Sequence, residues 1–287
     1  MNLPTPDPTI TQTLARLQSQ GLDRLDAQLL LLHALHQPAH HRSWLLAHDT
    51  DTVDATTLQT LNDLVRRRLN QEPLAYLTGN KEFYGLELHV DGRVLVPRPD
   101  TETLVDWALE VLMALGSGPD MSALDLGTGS GAIALALKAT RPDLQMSAID
   151  YSDDALAVAH ANAQRLQLDV QFSQGSWLTG VSRRYPLIVS NPPYIAALDP
   201  HLAALTHEPL QALASGADGL EDLRLIIGQA PRCLQAGGWL LLEHGYDQAP
   251  AVRRLLTEAG FSDVQSRCDL SAIERCSGGR MTHPLLT

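Results

Sequence analysis

Cysteine and positive charge are both scarce in this chain of 287 residues. The three cysteines, Cys233, Cys268 and Cys276, are odd in number and lack CxxC spacing, which argues against a disulfide framework or a zinc site. Lys and Arg number 21 against 33 Asp and Glu, a formal charge of -12, so a basic surface that coats a nucleic-acid duplex is not expected. We therefore expect no metal and no direct nucleic-acid partner.

Long apolar runs are also missing. No stretch approaches the roughly 20 residues that cross a bilayer, and the first ten residues have neither the basic nor the apolar region of a secretory signal. We expect no membrane partner, a cytoplasmic location and a monomer. With 44% hydrophobic residues, the chain can bury one full core and a second, smaller one, which predicts two domains.

The amino-terminal part has helical periodicity only. Apolar residues recur at helical spacing in three stripes that begin at Ile10, Leu22 and Leu58, which predicts a small helical bundle over residues 1–75. Residues 76–100 then alternate polar and apolar, as in a β-hairpin connector, and the Asp91-Gly92 dipeptide supplies its predicted turn.

Strands and helices alternate through the carboxyl-terminal domain, residues 101–287. Asp100 or Thr101 can cap its first helix. The alternation predicts an α/β fold with a Rossmann-like, doubly wound and mainly parallel sheet. The predicted strands are 123–126, 145–150, 170–173, 187–190 and 239–243, followed by a terminal pair at 261–268 and 272–276.

A glycine-rich segment ends the first of these strands. Residues 125–131 read Asp-Leu-Gly-Thr-Gly-Ser-Gly and precede an apolar helix. Alternate glycines let the backbone turn sharply beside a ligand, and the helix start offers free N–H groups. Asp150 ends the next strand, where a carboxylate can accept ribose hydroxyls. The same features fit a dinucleotide enzyme, and Asp125 can either face a cationic amino group or cap the turn.

The tetrad Asn191-Pro192-Pro193-Tyr194 follows a buried strand and separates these alternatives. The prolines cannot continue a ladder, so the tetrad projects a carboxamide and rigid carbonyls into the crevice. Together with the glycine loop and the acid, it resembles class I S-adenosylmethionine-dependent methyltransferases that act on an adenine amino group or a glutamine amide.

Further segments resemble the release-factor glutamine methyltransferases, the HemK or PrmC family. The matching segments are Glu72-Pro-Leu-Ala-Tyr-Leu-Thr-Gly79, Phe83-Tyr-Gly85, Val96-Pro-Arg-Pro-Asp-Thr-Glu102, Leu124 to Leu135, Ser190-Asn-Pro-Pro-Tyr-Ile195, Glu208-Pro-Leu-x-Ala-Leu213 and Gly216-x-Asp-Gly219. They lie in the connector and the catalytic domain, and the helical bundle has the family's size and place.

The resemblance implies transfer of a methyl group from S-adenosylmethionine to the glutamine amide nitrogen in the GGQ loop of class I peptide chain release factors, with S-adenosylhomocysteine as product. Asn191 is then the expected catalytic residue. The implied cofactor residues are Gly127, Thr128, Gly129, Ser130, Gly131, Asp150, Trp177 and Asn191, and the implied substrate residues are Asn191, Pro192, Pro193 and Tyr194. The Trp177 ring is expected beside adenine, where an indole can stack.

Two positions depart from the family pattern. Ser176 stands where many relatives have Asp, and His207 stands in place of an aromatic residue. Arg98 and Glu208 can shape the substrate mouth or form a buried ion pair.

Two other functions stay open. One is an adenine methyltransferase, which the acidic charge disfavours. The other is a translation-factor binding module with a vestigial site, which the intact glycine loop, Asp150 and Asn191 disfavour.

Overall fold

The structure, a computed structural model, describes residues 7–116, 118 and 121–282. The chain divides into two compact units, Met1–Gly79 and Asn80–Thr287, whereas the sequence placed the first boundary at residue 75. No helix in the described part of the chain is long and apolar enough to cross a membrane.

The first unit is helical, as predicted. Side-chain caps explain where several helices begin: Thr9 forms a reciprocal capping box with Gln12, and Asp23 and Asp54 accept backbone N–H groups of the turns that follow. Its core is rich in leucine, with Leu17, Leu30 and Leu61 fully buried. The helices are α1 Ile10–Ser19, α2 Arg24–Ala34, α3 Arg42–Ala47, α4 Ala55–Leu69 and α5 Leu74–Thr78.

The second unit begins with a hairpin of β1 Asn80–Phe83 and β2 Leu86–His89. Its turn is Tyr84-Gly85, where φ is +51° and +76°, the positive values that favour a tight two-residue hairpin. A turn does begin at Asp91, whose carbonyl accepts the N–H of Val94 at 3.1 Å, but it joins no pair of strands, so the hairpin predicted around it is wrong. Residues 91–98 form no strand, and Asp91 instead binds the backbone and guanidinium of Arg93.

The central sheet has the strand order β5-β4-β3-β6-β7-β9-β8. The strands from β5 to β7 in this order are parallel, while β9 and β8 run antiparallel. β3 and β6 are buried along their whole length, as expected for a parallel sheet covered on both faces. The strands are β3 Ser122–Leu126, β4 Gln145–Asp150, β5 Val170–Gln174, β6 Tyr185–Ser190, β7 Leu234–Glu243, β8 Ser262–Cys268 and β9 Glu274–Met281.

Helices cover both faces of this sheet, and two apolar clusters fill the space between them. The helices are α6 Glu102–Leu115, α7 Ala132–Thr140, α8 Asp153–Leu166, α9 Glu221–Cys233 and α10 Ala249–Glu258. The predicted α/β fold class is confirmed. Because β3 pairs with β4 on one side and β6 on the other, the strand order reverses beside β3. A crevice opens at such a point, beyond the carboxyl ends of the strands.

Candidate active site

The glycine loop leaves β3 at the head of this crevice. Gly127, Gly129 and Gly131 all have positive φ, +68°, +56° and +85°, a conformation that glycine adopts at little cost. Gly131 is the N-cap of α7. A Cβ atom on Gly129 would meet nothing within 4 Å, so the backbone at this residue borders open space. The loop therefore presents bare peptide groups to a ligand.

Asp150, at the end of β4, accepts hydrogen bonds from two backbone groups. Its Oδ2 accepts the N–H of Gly129 at 2.8 Å, and its Oδ1 accepts the N–H of Ser152 at 2.9 Å. Burial raises the pKa of Asp150, and these backbone donors oppose the rise. Each carboxylate oxygen keeps further acceptor capacity for a ligand hydroxyl.

Asp125 stabilises the turn of the glycine loop and does not line the crevice. The hydroxyl of Thr128 donates to its Oδ2 at 2.7 Å, and the residue is fully buried. Burial raises the pKa of Asp125 to about 7. Of the two roles that the sequence left open for this residue, the geometry favours the structural one.

Trp177 covers the glycine loop from the segment after β5. A Cβ atom built on Gly127 would lie 3.1 Å from its ring, so only glycine allows this close approach. The indole N–H donates to Asp222 Oδ1 on α9 at 3.0 Å, which holds the ring in place. The neighbouring Ser176 borders the same crevice, with a hydroxyl where the resemblance expects a carboxylate.

The tetrad after β6 begins with a tethered carboxamide. The Asn191 Nδ2 group donates to Thr101 Oγ1 at 3.2 Å. Thr101 occupies the N-cap position of α6, as predicted, but its side chain makes no capping hydrogen bond. Tyr194 is half-buried, and its hydroxyl donates to Glu243 Oε1 at 3.4 Å. Burial is the main cause that raises the pKa of Tyr194.

One cavity of about 260 Å³ brings many of the expected site residues together. Its lining includes Gly127, Gly129, Asp150, Trp177, Asn191 and Pro193. The remaining expected residues, Thr128, Ser130, Gly131, Pro192 and Tyr194, are not among its lining residues. Thr128 and Ser130 are buried and shape the loop from beneath.

Sequence reasoning missed part of the lining and its support. Asp222 and residues 93–95 also line the cavity, although nothing in their local pattern indicates a site. Gln211 and Ala212 line it too, and they lie in the segment from Glu208 to Leu213 that carries part of the family resemblance. Glu243 carried a usable signal, because it ends β7, the parallel neighbour of β6. A carboxylate at such a strand end belongs to the edge where ligands bind.

Arg98 and Glu208 form an ion pair. The Glu208 side chain is buried, and its Oε1 also accepts the N–H of Val96 at 3.0 Å. This contact joins the segment before α6 to the loop after β6. Each of these stretches contributes lining residues to the cavity, so the ion pair is a structural contact that holds the two stretches together.

Residues 7–116, 118 and 121–282 contain no candidate metal centre. No cluster of three His, Cys, Asp or Glu could hold a metal ion there. The cysteines are free thiols, with Cys233 and Cys276 buried and Cys268 exposed.

Comparison with known proteins identifies the family. The family model of the methyltransferase small domain matches residues 102–259, and that of the PrmC N-terminal domain matches residues 9–79. A release factor glutamine methyltransferase from Burkholderia pseudomallei is 44% identical, over 98% of this chain and 99% of its own length. The chain belongs to the release factor glutamine methyltransferase family. It is thus a methyltransferase rather than the dinucleotide enzyme that the glycine loop alone allowed.

A second relative agrees with this membership, and a solved structure agrees with the fold. A family member from Bordetella pertussis is 48% identical over 92% of this chain and 97% of its own length. The crystal structure of a methyltransferase from Pyrococcus furiosus covers 77% of this chain and 98% of its own length, with 18% identity and a TM-score of 0.52. At that identity the second likeness concerns the fold alone.

Proposed function

We propose that this protein transfers a methyl group from S-adenosylmethionine to the side-chain amide nitrogen of the glutamine in the GGQ motif of class I peptide chain release factors. The observation that carries the proposal is the Asn191 carboxamide, tethered at one end and bordering the same cavity as Gly129 and Asp150. Such a substrate places the reaction in the cytoplasm.

The residues around the cavity fit the proposed cofactor. Gly129 leaves open space where a side chain would intrude, Asp150 has acceptor capacity for ribose hydroxyls, and the Trp177 ring offers an apolar face beside the loop. When bound, S-adenosylmethionine supplies an electrophilic methyl group on a sulfonium.

The protein's own contribution is to hold and orient the glutamine amide. An amide nitrogen is a weak nucleophile because its lone pair is delocalised, so alignment of that nitrogen is the main requirement. Asn191 Oδ1 accepts one amide N–H, and the Pro192 carbonyl is the second acceptor that we assign. As the nitrogen gains the methyl it becomes acidic and releases one proton, so no strong base is needed. We assign to Tyr194, which lies beside the cavity rather than in its lining, the role of packing its ring on the substrate plane or closing the pocket over it.

A glutamine side chain is small and uncharged, so its own contacts provide little binding energy. Binding energy from remote parts of a substrate can supply the orientation that catalysis needs. We therefore assign docking of the release factor to residues 1–75 and to the connector 76–100, and the transfer to residues 101–287. If deletion of residues 1–75 left a folded protein with unchanged kcat/KM, the docking role would be wrong.

The test of the function uses S-adenosylmethionine labelled in its methyl group. The protein is incubated with a class I release factor, with the same factor carrying a substituted GGQ glutamine, and with duplex DNA and RNA. Label on the intact factor alone is the expected result. Label on nucleic acid, or equal label on the factor with the substituted glutamine, would show that the GGQ glutamine is not the methyl acceptor.

A further inference from the structure

Gln248 stands at the N-cap position of α10, where a short polar side chain usually binds the first free N–H groups of the helix. The Gln248 side chain makes no capping hydrogen bond. It is half-buried and extends instead to backbone groups of Gly245, Tyr194 and Gly219. One side chain thus connects the turn after β7, the tetrad after β6 and the segment 216–219.

Both ends of the Gln248 carboxamide are bonded. Its Oε1 accepts the N–H of Gly245 at 2.9 Å, and its Nε2 donates to the carbonyl of Tyr194 at 3.0 Å and to that of Gly219 at 3.3 Å. A backbone N–H can only donate and a carbonyl can only accept, so these partners fix the orientation of the carboxamide. Its NH2 group therefore holds the last residue of the tetrad.

The peptide between Tyr194 and Ile195 is held through both of its polar groups. Its carbonyl accepts from Gln248, and its N–H donates to the carbonyl of Leu213 at 2.9 Å. Because a peptide unit is planar, two hydrogen bonds to different segments fix the direction of the whole unit. Asn191 is separated from Tyr194 only by two prolines, whose φ is restricted, so the fixed peptide limits how the tetrad can turn.

Gly219 shows how closely these groups pack. Its φ is +74°, and a Cβ atom at this position would collide with the carbonyl oxygen of Tyr194 and lie 2.8 Å from Gln248 Nε2. Only glycine therefore allows the carbonyls of residues 194 and 219 to share one NH2 group. This packing explains the glycine that ends the segment 216–219.

The turn that carries Gln248 is anchored to the sheet. His244 is fully buried, and its Nδ1 lies 2.9 Å from the carbonyl oxygen of Gly245. That oxygen can only accept, so Nδ1 carries the proton. The other ring nitrogen lies 2.7 Å from the hydroxyl of Ser277 on β9. The position of Gln248 therefore depends on buried groups of the sheet and not on an exposed loop.

We propose that Gln248 is a positioning residue for methyl transfer: its NH2 group fixes the backbone carbonyl of Tyr194 and so orients the tetrad whose Asn191 receives the substrate amide. This positioning role deepens the proposed function and rests on it. Gln248 is not among the residues that line the cavity, so it acts through the tetrad and not on the substrate.

Two substitutions separate the two ends of the carboxamide. Gln248→Met keeps the length of the side chain and removes both strong hydrogen-bonding groups, whereas Gln248→Glu, ionised at pH 8, keeps an acceptor for Gly245 and removes the donor. We expect each to lower kcat on a release factor by about 5- to 50-fold, with little change in KM or in the Kd of S-adenosylmethionine. A wild-type kcat in Gln248→Glu would overturn the proposal. If Gln248→Met does not fold, Gln248→Glu alone decides.

Gln235→Met is the matched control. Gln235 Nε2 also donates to a backbone carbonyl, that of Arg184 at 3.3 Å, but Gln235 lies at the amino end of β7, away from the crevice at the carboxyl ends. Its kcat should equal that of the wild type. The stoichiometry of S-adenosylmethionine binding counts the folded molecules, so that rates are compared per active site. An equal loss of kcat in Gln235→Met and Gln248→Met would refute the positioning role.

Hydrogen exchange gives a readout that needs no substrate. The N–H groups of Ile195 and Ser215 bond to the carbonyls of Leu213 and Ile195, across the bridge between the end of the tetrad and the segment beside it. Both should exchange about 5- to 50-fold faster in the two Gln248 variants, whereas N–H groups within β6 should not change. Unchanged exchange at Ile195 and Ser215 would overturn the positioning role. Faster exchange without any label on the release factor would contradict only the proposed function.

Discussion

The backbone N–H of Gly129 donates to Oδ2 of Asp150 at 2.8 Å, which ties the loop after β3 to the end of β4. A carboxylate expected to hold a ribose thus also organises the glycine loop. The second oxygen of Asp150 binds the N–H of Ser152, the N-cap of α8. The Asp150 side chain therefore fixes the glycine loop relative to the start of α8 in the candidate cofactor site.

Asp150→Asn tests this double role. Its NH2 group must face either Gly129 N–H or Ser152 N–H, and an unmade buried hydrogen bond costs about 1–3 kcal/mol. We expect the Kd for S-adenosylmethionine, measured by calorimetry, to rise by at least about tenfold. Asp143→Asn is the control, since Asp143 pairs with Arg141 at the surface. Unchanged affinity in Asp150→Asn would contradict the assignment.

Gly129→Ala should damage binding more than folding. At φ +56°, alanine costs about 1–2 kcal/mol, and its methyl group would also project into the open space beside the loop. Gly180→Ala is a matched control, because Gly180 has φ +79° and likewise no atom within 4 Å of an added Cβ. We expect similar losses of thermal stability, with a raised cofactor Kd in Gly129→Ala alone. Equal Kd values in the two variants would refute this role.

Trp177→Phe removes the indole N–H that binds Asp222 and reduces the aromatic face over Gly127. We expect a cofactor Kd about 2- to 10-fold higher, because an ordinary hydrogen bond contributes about 0.5–1.5 kcal/mol. Trp44→Phe serves as control, since Trp44 stacks on His48 in the amino-terminal unit. Calorimetric titration with S-adenosylhomocysteine measures the ligand affinity of both variants. An equal loss of affinity in the two would contradict a specific role for Trp177.

Asn191→Ala should abolish methyl transfer and leave cofactor binding largely intact. The variant removes the oxygen that receives the substrate amide, whereas the glycine loop, Asp150 and Trp177 remain. Single-turnover transfer at saturating S-adenosylmethionine and a separate binding titration distinguish the two effects. Lost cofactor binding combined with a normal rate at saturation is the result that would count against the assigned role.

Stability should fall as the pH rises from about 4 to about 7. Burial raises the pKa of Asp125 and of Glu243 to about 7, above their ordinary values of 3.8 and 4.5. In this window the folded protein keeps protons that the unfolded chain releases, so the free energy of unfolding decreases with pH, by about 3–4 kcal/mol per group. Below the window both states are protonated, and the loss disappears.

Urea unfolding at pH 4.5 and pH 8 measures this change, with Glu243→Gln as the comparison. Glutamine does not titrate, so the variant should lose less stability over the same range than the wild type. An identical pH dependence in the two proteins would show that Glu243 titrates normally in the folded state.

Most of the architecture was predictable from local pattern. Period-2 and period-3.6 repeats mark strands and helices, and the predicted helical amino-terminal part and mainly parallel sheet are both present. The hairpin turn was misplaced because Asp91-Gly92 is the stronger turn signal. The actual turn places Tyr84 at positive φ, which is unusual for a bulky residue. Tertiary context thus outweighed local turn preference.

The sequence by itself determined the chemistry available to this protein: a glycine loop, an acid 19 residues beyond it, and a carboxamide rigidly placed by two prolines. Only the tertiary structure decided which end of that carboxamide is tethered and to what. The tether is Thr101, which is 90 residues away from Asn191 along the chain. The partner and the direction of a side-chain hydrogen bond depend on where the two groups lie in space. The spacing of residues along the chain therefore does not reveal them.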